Sequence, residues 1–251
     1  MPLAAFRVNA LAFPCRAPKM RVMAGSLTPR SASKEIDAFL SEAGKALARS
    51  ERGRLIFALD ATQSRQSTWD LAQSLQARMF EAAADVGGLD AQLVYFRGYD
   101  ECRASRFVGE GRGLAGLMSK IEVRGGATQW AKVLKHARDE ASAARVGALV
   151  IVGDAMEENV DTLCGLAGEL ALLNVKLFAF HEGDDPAAAS AFKQMAGITA
   201  GAYGAFDAGA AVRLAALLRA AAAYAAGGRR ALEALAALEP EARPLLAQMR
   251  P

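Results

Sequence analysis

Cysteine is sparse in this chain: among 251 residues only Cys15, Cys102 and Cys164 occur, far apart and odd in number. That spacing builds neither a disulfide framework nor a CxxC metal site, and it points to a reducing, cytoplasmic setting. Histidine is scarcer still, with His136 in mid-helix and His181 at a strand end. No GxSxG occurs either, so serine-hydrolase chemistry has no support. Long apolar runs are missing: the most apolar stretch, 208–226, is mostly alanine and carries Arg213 and Arg219. No membrane span is expected from it. Acid is absent from residues 1–33, which hold Arg7, Arg16, Lys19, Arg21 and Arg30. The net charge of +3 rests on that head, because the remainder sets 25 basic against 27 acidic residues, or −2. A near-neutral body offers no electrostatic footprint for nucleic acid.

What is present is a globular composition, 53% hydrophobic and swollen by alanine, on a chain long enough to bury a full core. The basic head, 1–33, is aperiodic. It shares the bias of transit peptides but lacks the apolar core of a secretory signal. It reads as a disordered tail, or as a start assigned too early, with Met20 or Met23 the true start. Ile36, Phe39, Leu40, Ala43 and Leu47 then fall at helical spacing, giving a leading helix within 34–53.

The body is organised around Leu55-Ile56-Phe57-Ala58-Leu59-Asp60-Ala61-Thr62-Gln63-Ser64. An apolar run without polar alternation reads as a strand buried on both faces, as in the middle of a parallel sheet. Such strands end at the sheet's carboxyl edge, where open α/β folds keep their ligands. Asp60, Thr62 and Ser64 place three oxygens on one loop there, a donor set suited to a hard cation such as Mg²⁺. The same residues also serve as turn and cap formers, so a plain strand-to-helix connection stays open at this point.

Downstream, Ser67-Thr68-Trp69-Asp70 has the pattern of a capping box, and Trp69, Ala72, Leu75, Met79 and Ala83 form an inner helical stripe ended by Gly87-Gly88. A strand over 91–97 is expected to turn at Gly98-Tyr99-Asp100 into a polar edge strand over 102–108. Gly111-Arg112-Gly113-Leu114-Ala115-Gly116 matches GxGxxG, but the strand before it is polar and no acid-ended strand follows at the dinucleotide spacing. These glycines are expected to form a flexible lead-in to a short helix through Leu117 and Ile121. Gly125-Gly126-Ala127-Thr128 leads into a helix over 130–143, with Thr128 as its N-cap. A second doubly buried strand, 148–152, ends in Gly153-Asp154, and Glu157 and Glu158 sit where the next helix dipole favours acids. Strands over 176–180 and 202–206, a helix over 186–196 and an alanine-rich helix complete a β/α alternation.

That alternation predicts an α/β fold, Rossmann-like and doubly wound: a mostly parallel six-stranded sheet with one antiparallel edge strand and helices on both faces. The main domain is expected over 54–226, followed by a short helical tail over 227–251. In the order 3-2-1-4-5-6 the two acid-ended strands are neighbours and the order reverses between them. Asp60 and Asp154 then flank the crevice, with Thr128 leaning into it.

Here the chain resembles the von Willebrand factor type A (VWA) domain. That family's metal-ion-dependent adhesion site reads D-x-S-x-S, then a threonine after glycines, then an aspartate after a buried strand. This sequence has Asp60-Ala61-Thr62-Gln63-Ser64, Gly125-Gly126-Ala127-Thr128 and Asp154. The one departure, Thr62 for the first serine, keeps the hydroxyl. The resemblance implies binding without turnover: Asp60, Thr62, Ser64, Thr128 and Asp154 hold a divalent ion, Mg²⁺ with Mn²⁺ or Ca²⁺ as alternatives. A protein partner's acidic residue fills the open position. The oligomeric state is not legible, and the composition is bacterial-looking. Two rival readings stand beside it. A haloacid-dehalogenase-like phosphatase would use Asp60 as nucleophile and Gly153-Asp154 with Asn159 as metal motif, but Thr62 occupies the place of its general acid. A metal-free VWA-like scaffold would use the same residues as turn formers.

Overall fold

The computed structural model describes residues 52–62, 66–84, 88–207 and 210–249. The expected head, nearly all of the leading helix and Ser64 lie outside these residues. Six strands form one sheet: β1 (Gly53–Asp60), β2 (Leu89–Arg97), β3 (Glu101–Ala104), β4 (Ala148–Gly153), β5 (Lys176–Glu182) and β6 (Ala202–Phe206). Their order is β3-β2-β1-β4-β5-β6, with β3 antiparallel to β2 and every other pair parallel. The doubly wound order read from the sequence is therefore the observed one.

Among the described residues, seven α-helices cover the sheet: α1 (Gln66–Ala84), α2 (Gly111–Met118), α3 (Trp130–Ala143), α4 (Val160–Leu172), α5 (Pro186–Ile198), α6 (Ala211–Leu238) and α7 (Arg243–Gln248). The period of two along β1 divides the core. Leu55, Phe57 and Leu59 pack with Trp69 and Leu75 of α1, Leu114 of α2, and Leu214 and Leu218 of α6. Ile56 and Ala58 pack with Val133 of α3, Leu170 of α4 and Phe192 of α5. Each large side chain so enclosed contributes about 1.5–3 kcal/mol relative to exposure, which anchors the central strand firmly on both faces.

Several local expectations are corrected. The edge strand stops at Ala104 instead of running to Val108; Val108 makes only an isolated bridge to Ala91. At Ser105 the ladder is replaced by side-chain bonds: its hydroxyl accepts from the Leu93 amide at 3.0 Å and its carbonyl from Gln92 Nε2 at 2.9 Å, so the regular pairing ends there. Gly111, Gly113 and Gly116 lie inside α2 and are not a flexible lead-in, because Leu114 and Met118 anchor that helix in the core. Helix α1 already includes Gln66, ahead of the capping-box pattern, so Ser67 lies inside the first turn and does not start the helix as its cap. Helix α6 runs past residue 226, bends at Gly228 (φ 66°), and continues to Leu238. Beyond the bend, Leu232, Ala236, Ala242, Leu245 and Met249 are buried in the same core as Leu55. Gln248 pairs with Tyr203 of the edge strand in both directions, each bond 2.9 Å, as a neighbouring strand would.

Candidate functional site

Leu59 lies opposite Val152, so Asp60 and Asp154 leave two adjacent parallel strands within a residue of each other. This is the point where the strand order reverses, the crevice that open α/β sheets use for ligands. A cavity of about 200 Å³ opens there, lined by Asp60, Thr62, Gly125, Gly126, Thr128, Asp154, Ala155 and Glu157. Four of the five residues chosen from the sequence thus face one space; the fifth, Ser64, is outside the described residues.

Each loop is held by identifiable contacts. Asp60 is 3% exposed, and the Thr62 amide donates to its Oδ1 at 2.8 Å, a local turn that fixes the loop leaving β1. The Arg124 amide donates to the Ala61 carbonyl at 3.0 Å and the Ala127 amide to the Gly98 carbonyl at 3.1 Å. Those bonds lay the glycine run across the ends of β1 and β2. Gly126 has to be glycine: a Cβ there would stand 2.0 Å from the Gly98 oxygen. Arg97 reinforces the arrangement, donating to the Glu101 carboxylate and to the Glu122 carbonyl. Arg97 and Arg103 hold the Glu101 carboxyl down to about 2 by donating to it.

Thr128 is not the N-cap of α3; Gln129 holds that position without a side-chain bond. The amides at that helix end go to an acid from another loop. Glu158 accepts from Trp130 and Ala131, and Glu157 accepts from the Thr128 amide at 2.8 Å while its own amide donates to the Thr128 hydroxyl at 3.1 Å. Sequence reasoning placed both glutamates at the start of their own helix, but α4 starts at Val160 with Asn159 as cap. They serve the positive end of α3 instead. The sequence signal was present, two acids just after an acid-ended buried strand, but the partner helix is fixed only by tertiary structure.

Asp154 is braced from behind. The Trp130 ring lies against Gly153, where a Cβ would meet it at 2.4 Å, and its Nε1 donates to the Ala155 carbonyl at 3.2 Å. His181, 1% exposed, approaches the Asp154 carbonyl through Nε2 at 3.3 Å and the Tyr203 hydroxyl through Nδ1 at 3.1 Å. A carbonyl only accepts, so Nε2 is the donor in the contact with Asp154. This histidine does not end its strand, which runs on to Glu182; it lies inside the ladder and has a supporting place, behind the cavity.

The side-chain donors at the cavity are all oxygen: the carboxylates of Asp60, Asp154 and Glu157, the last already taken by the Thr128 amide, and the hydroxyls of Thr62 and Thr128, 8% and 7% exposed. Among the described residues no three of histidine, cysteine, aspartate and glutamate gather to hold a metal, so neither a thiolate–imidazole centre nor an all-carboxylate cage is built. Few carboxylates, additional hydroxyls and room for water fit a hard divalent cation of the Mg²⁺ type. The place two residues after Asp60 holds a hydroxyl and not a second acid.

No protein-family model and no curated protein matches the chain. Solved structures do. A von Willebrand factor type A protein from Catenulispora acidiphila superposes with a TM-score of 0.56 at 15% identity, over 70% of this chain and 43% of that one. The SpRpn10 VWA domain gives 0.52 at 14% identity, over 65% of this chain and 95% of the domain. Proximal thread matrix protein 1 from the mussel byssus gives 0.54 at 15% identity, over 70% of this chain and 47% of that one. The chain spans less than half of the Catenulispora protein. At such identities the likeness is one of fold, and the fold of this chain is that of the von Willebrand factor type A domain.

Proposed function

We propose that this chain is a protein-interaction module that binds a divalent cation, Mg²⁺ or in its place Mn²⁺ or Ca²⁺. Asp60, Thr62, Ser64, Thr128 and Asp154 hold the ion, and a carboxylate of a protein partner completes its shell. The role is binding, without turnover. One observation carries the reading: Asp60, Thr62, Thr128 and Asp154, from three separate loops, line a single small cavity at the reversal point of the sheet. When bound, the ion supplies a positive centre only partly compensated by two carboxylates, which attracts an anionic group. The chain's own part is to hold the hydroxyls and carboxylates in place. The VWA fold is often a platform for protein contacts, which supports the partner half of the reading by analogy.

A metal-free scaffold is the second reading, favoured by the bonds that Asp60 and Thr128 already make to the Thr62 and Glu157 amides. Thermal unfolding in Mg²⁺, in Mn²⁺ and in chelator separates the two. At about a hundred times its dissociation constant the ion adds roughly 2.7 kcal/mol of stability. Identical midpoints in all three solutions would select the scaffold. Chelator-sensitive retention of one defined partner, lost in Asp154→Ala, tests the interaction half.

A further inference from the structure

Strand β4 ends at Gly153, and the next two carbonyls are held by ring N–H groups from one side of the sheet. Nε2 of His181 donates to the Asp154 carbonyl at 3.3 Å, and Nε1 of Trp130 donates to the Ala155 carbonyl at 3.2 Å. Both rings are 1% exposed and both stand edge-on to Phe192, with centroids 5.6 and 5.7 Å away, so Phe192 spaces the two donors. Peptide groups are planar, and only the two dihedrals at the Cα of Asp154 join one plane to the next. The plane before Asp154 belongs to the end of β4, where Gly153 lies opposite His181 in the ladder. The plane after it carries the carbonyl that His181 holds. With both planes fixed, the Cα–Cβ direction of Asp154 is fixed too, and the carboxylate is aimed at the cavity it lines. His181 is itself oriented, its Nδ1 lying 3.1 Å from the Tyr203 hydroxyl on the neighbouring strand β6. An apolar side chain would fill the space beside Phe192 but could not bond the buried carbonyl.

We propose that His181, oriented by Tyr203, is a positioning residue for the oxygen-lined cavity. By holding the Asp154 carbonyl it sets the direction of the Asp154 carboxylate, and with it the affinity for the cation. This rests on the metal-binding reading of the cavity. The imidazole does not touch the ion; it acts through the backbone of a residue that does. Residues that orient the groups around a metal change affinity by about tenfold or more when removed.

The test is calorimetric titration of Mg²⁺ into the full chain and into His181→Leu, His181→Gln, Tyr203→Phe and Leu170→Ala, with the melting point of each followed by circular dichroism. His181→Leu keeps an apolar body beside Phe192 and lacks the donor, so it is expected to weaken binding about tenfold. His181→Gln returns an N–H close to the reach of Nε2 and is expected to regain most of the parent's affinity. Tyr203→Phe, at a half-buried position, loses only the hydroxyl and should weaken binding in the same direction, by less. It carries the test if His181→Leu does not fold. Leu170→Ala, a buried truncation in the core on the side of Trp130 and Phe192, is the control for general loosening and should lower the melting point without altering affinity. Parent-like affinity in His181→Leu or Tyr203→Phe, no recovery in His181→Gln, or equal weakening in Leu170→Ala overturns the proposal. Absence of Mg²⁺ binding by the parent overturns the metal reading and this inference with it.

Discussion

Thr128 and Glu157 bond each other twice, amide to carboxylate at 2.8 Å and amide to hydroxyl at 3.1 Å, so the loop between α2 and α3 and the loop leaving β4 are clipped together. The clip leaves the Thr128 hydroxyl its proton and one further lone pair, enough to serve as a ligand.

Because Glu157 is itself exposed, Glu157→Ala is expected to cost only about 1 kcal/mol in urea unfolding, the scale of one net hydrogen bond. Glu157→Gln, which keeps an acceptor, should cost less. Equal losses for the two would mean that the clip does not hold the loops.

Gly153→Ala should be worse than its size implies. Its Cβ would press on the Trp130 ring at 2.4 Å, and that ring is wedged between Phe96 and Phe192. Overpacking of this kind costs about 1–3 kcal/mol. Denaturant unfolding followed by tryptophan fluorescence reads it, and a neutral result would show that the indole is free to move.

Burial pushes the Cys102 thiol up to about 11. Since the thiolate is the nucleophile, Cys102 should resist iodoacetamide at pH 8 in the native protein and react readily in urea. Mass spectrometry of the peptide containing Cys102 measures both rates. Native labelling as fast as unfolded labelling would contradict the described packing.

Glu101 gives a pH signature. Its folded carboxyl titrates at about 2 against an ordinary value of 4.5, held down first by Arg97. A depressed carboxyl stabilises above its unfolded value, and that contribution fades as pH falls from about 4.5 toward 2. Glu101→Gln should therefore flatten the acid limb of the stability curve in this window. An unchanged limb would show that the pair contributes nothing there.

The central layer was legible because it obeys local rules. Leu55–Leu59 and Ala148–Val152 are apolar without alternation, which only a strand covered on both faces tolerates, and each ends in the acid that faces the cavity. Thr128 was found from the glycines before it, although its role as a cap was wrong. What the sequence hid was long-range. Glu158 caps a helix that begins 28 residues earlier, and Thr68 meets Glu182 across 114 residues. GxGxxG looked like a loop because glycine is a poor helix former, yet tertiary packing of Leu114 and Met118 overrides that propensity. The tail beyond residue 226 read as separate because Gly227-Gly228 breaks the pattern, while Leu232 and Leu245 return to the core.

The most direct measurement is calorimetric Mg²⁺ titration of Asp60→Ala and Asp154→Ala beside the parent and Thr62→Ser, with circular dichroism of all four. Both aspartates line the cavity, and each supplies one of the two carboxylates of the proposed ligand set. The account predicts that the parent and Thr62→Ser bind Mg²⁺ alike, while both alanine variants stay folded and lose at least about tenfold in affinity, the lower end of what even orienting residues cost. Alanine variants that bind Mg²⁺ like the parent, or that unfold, would contradict it.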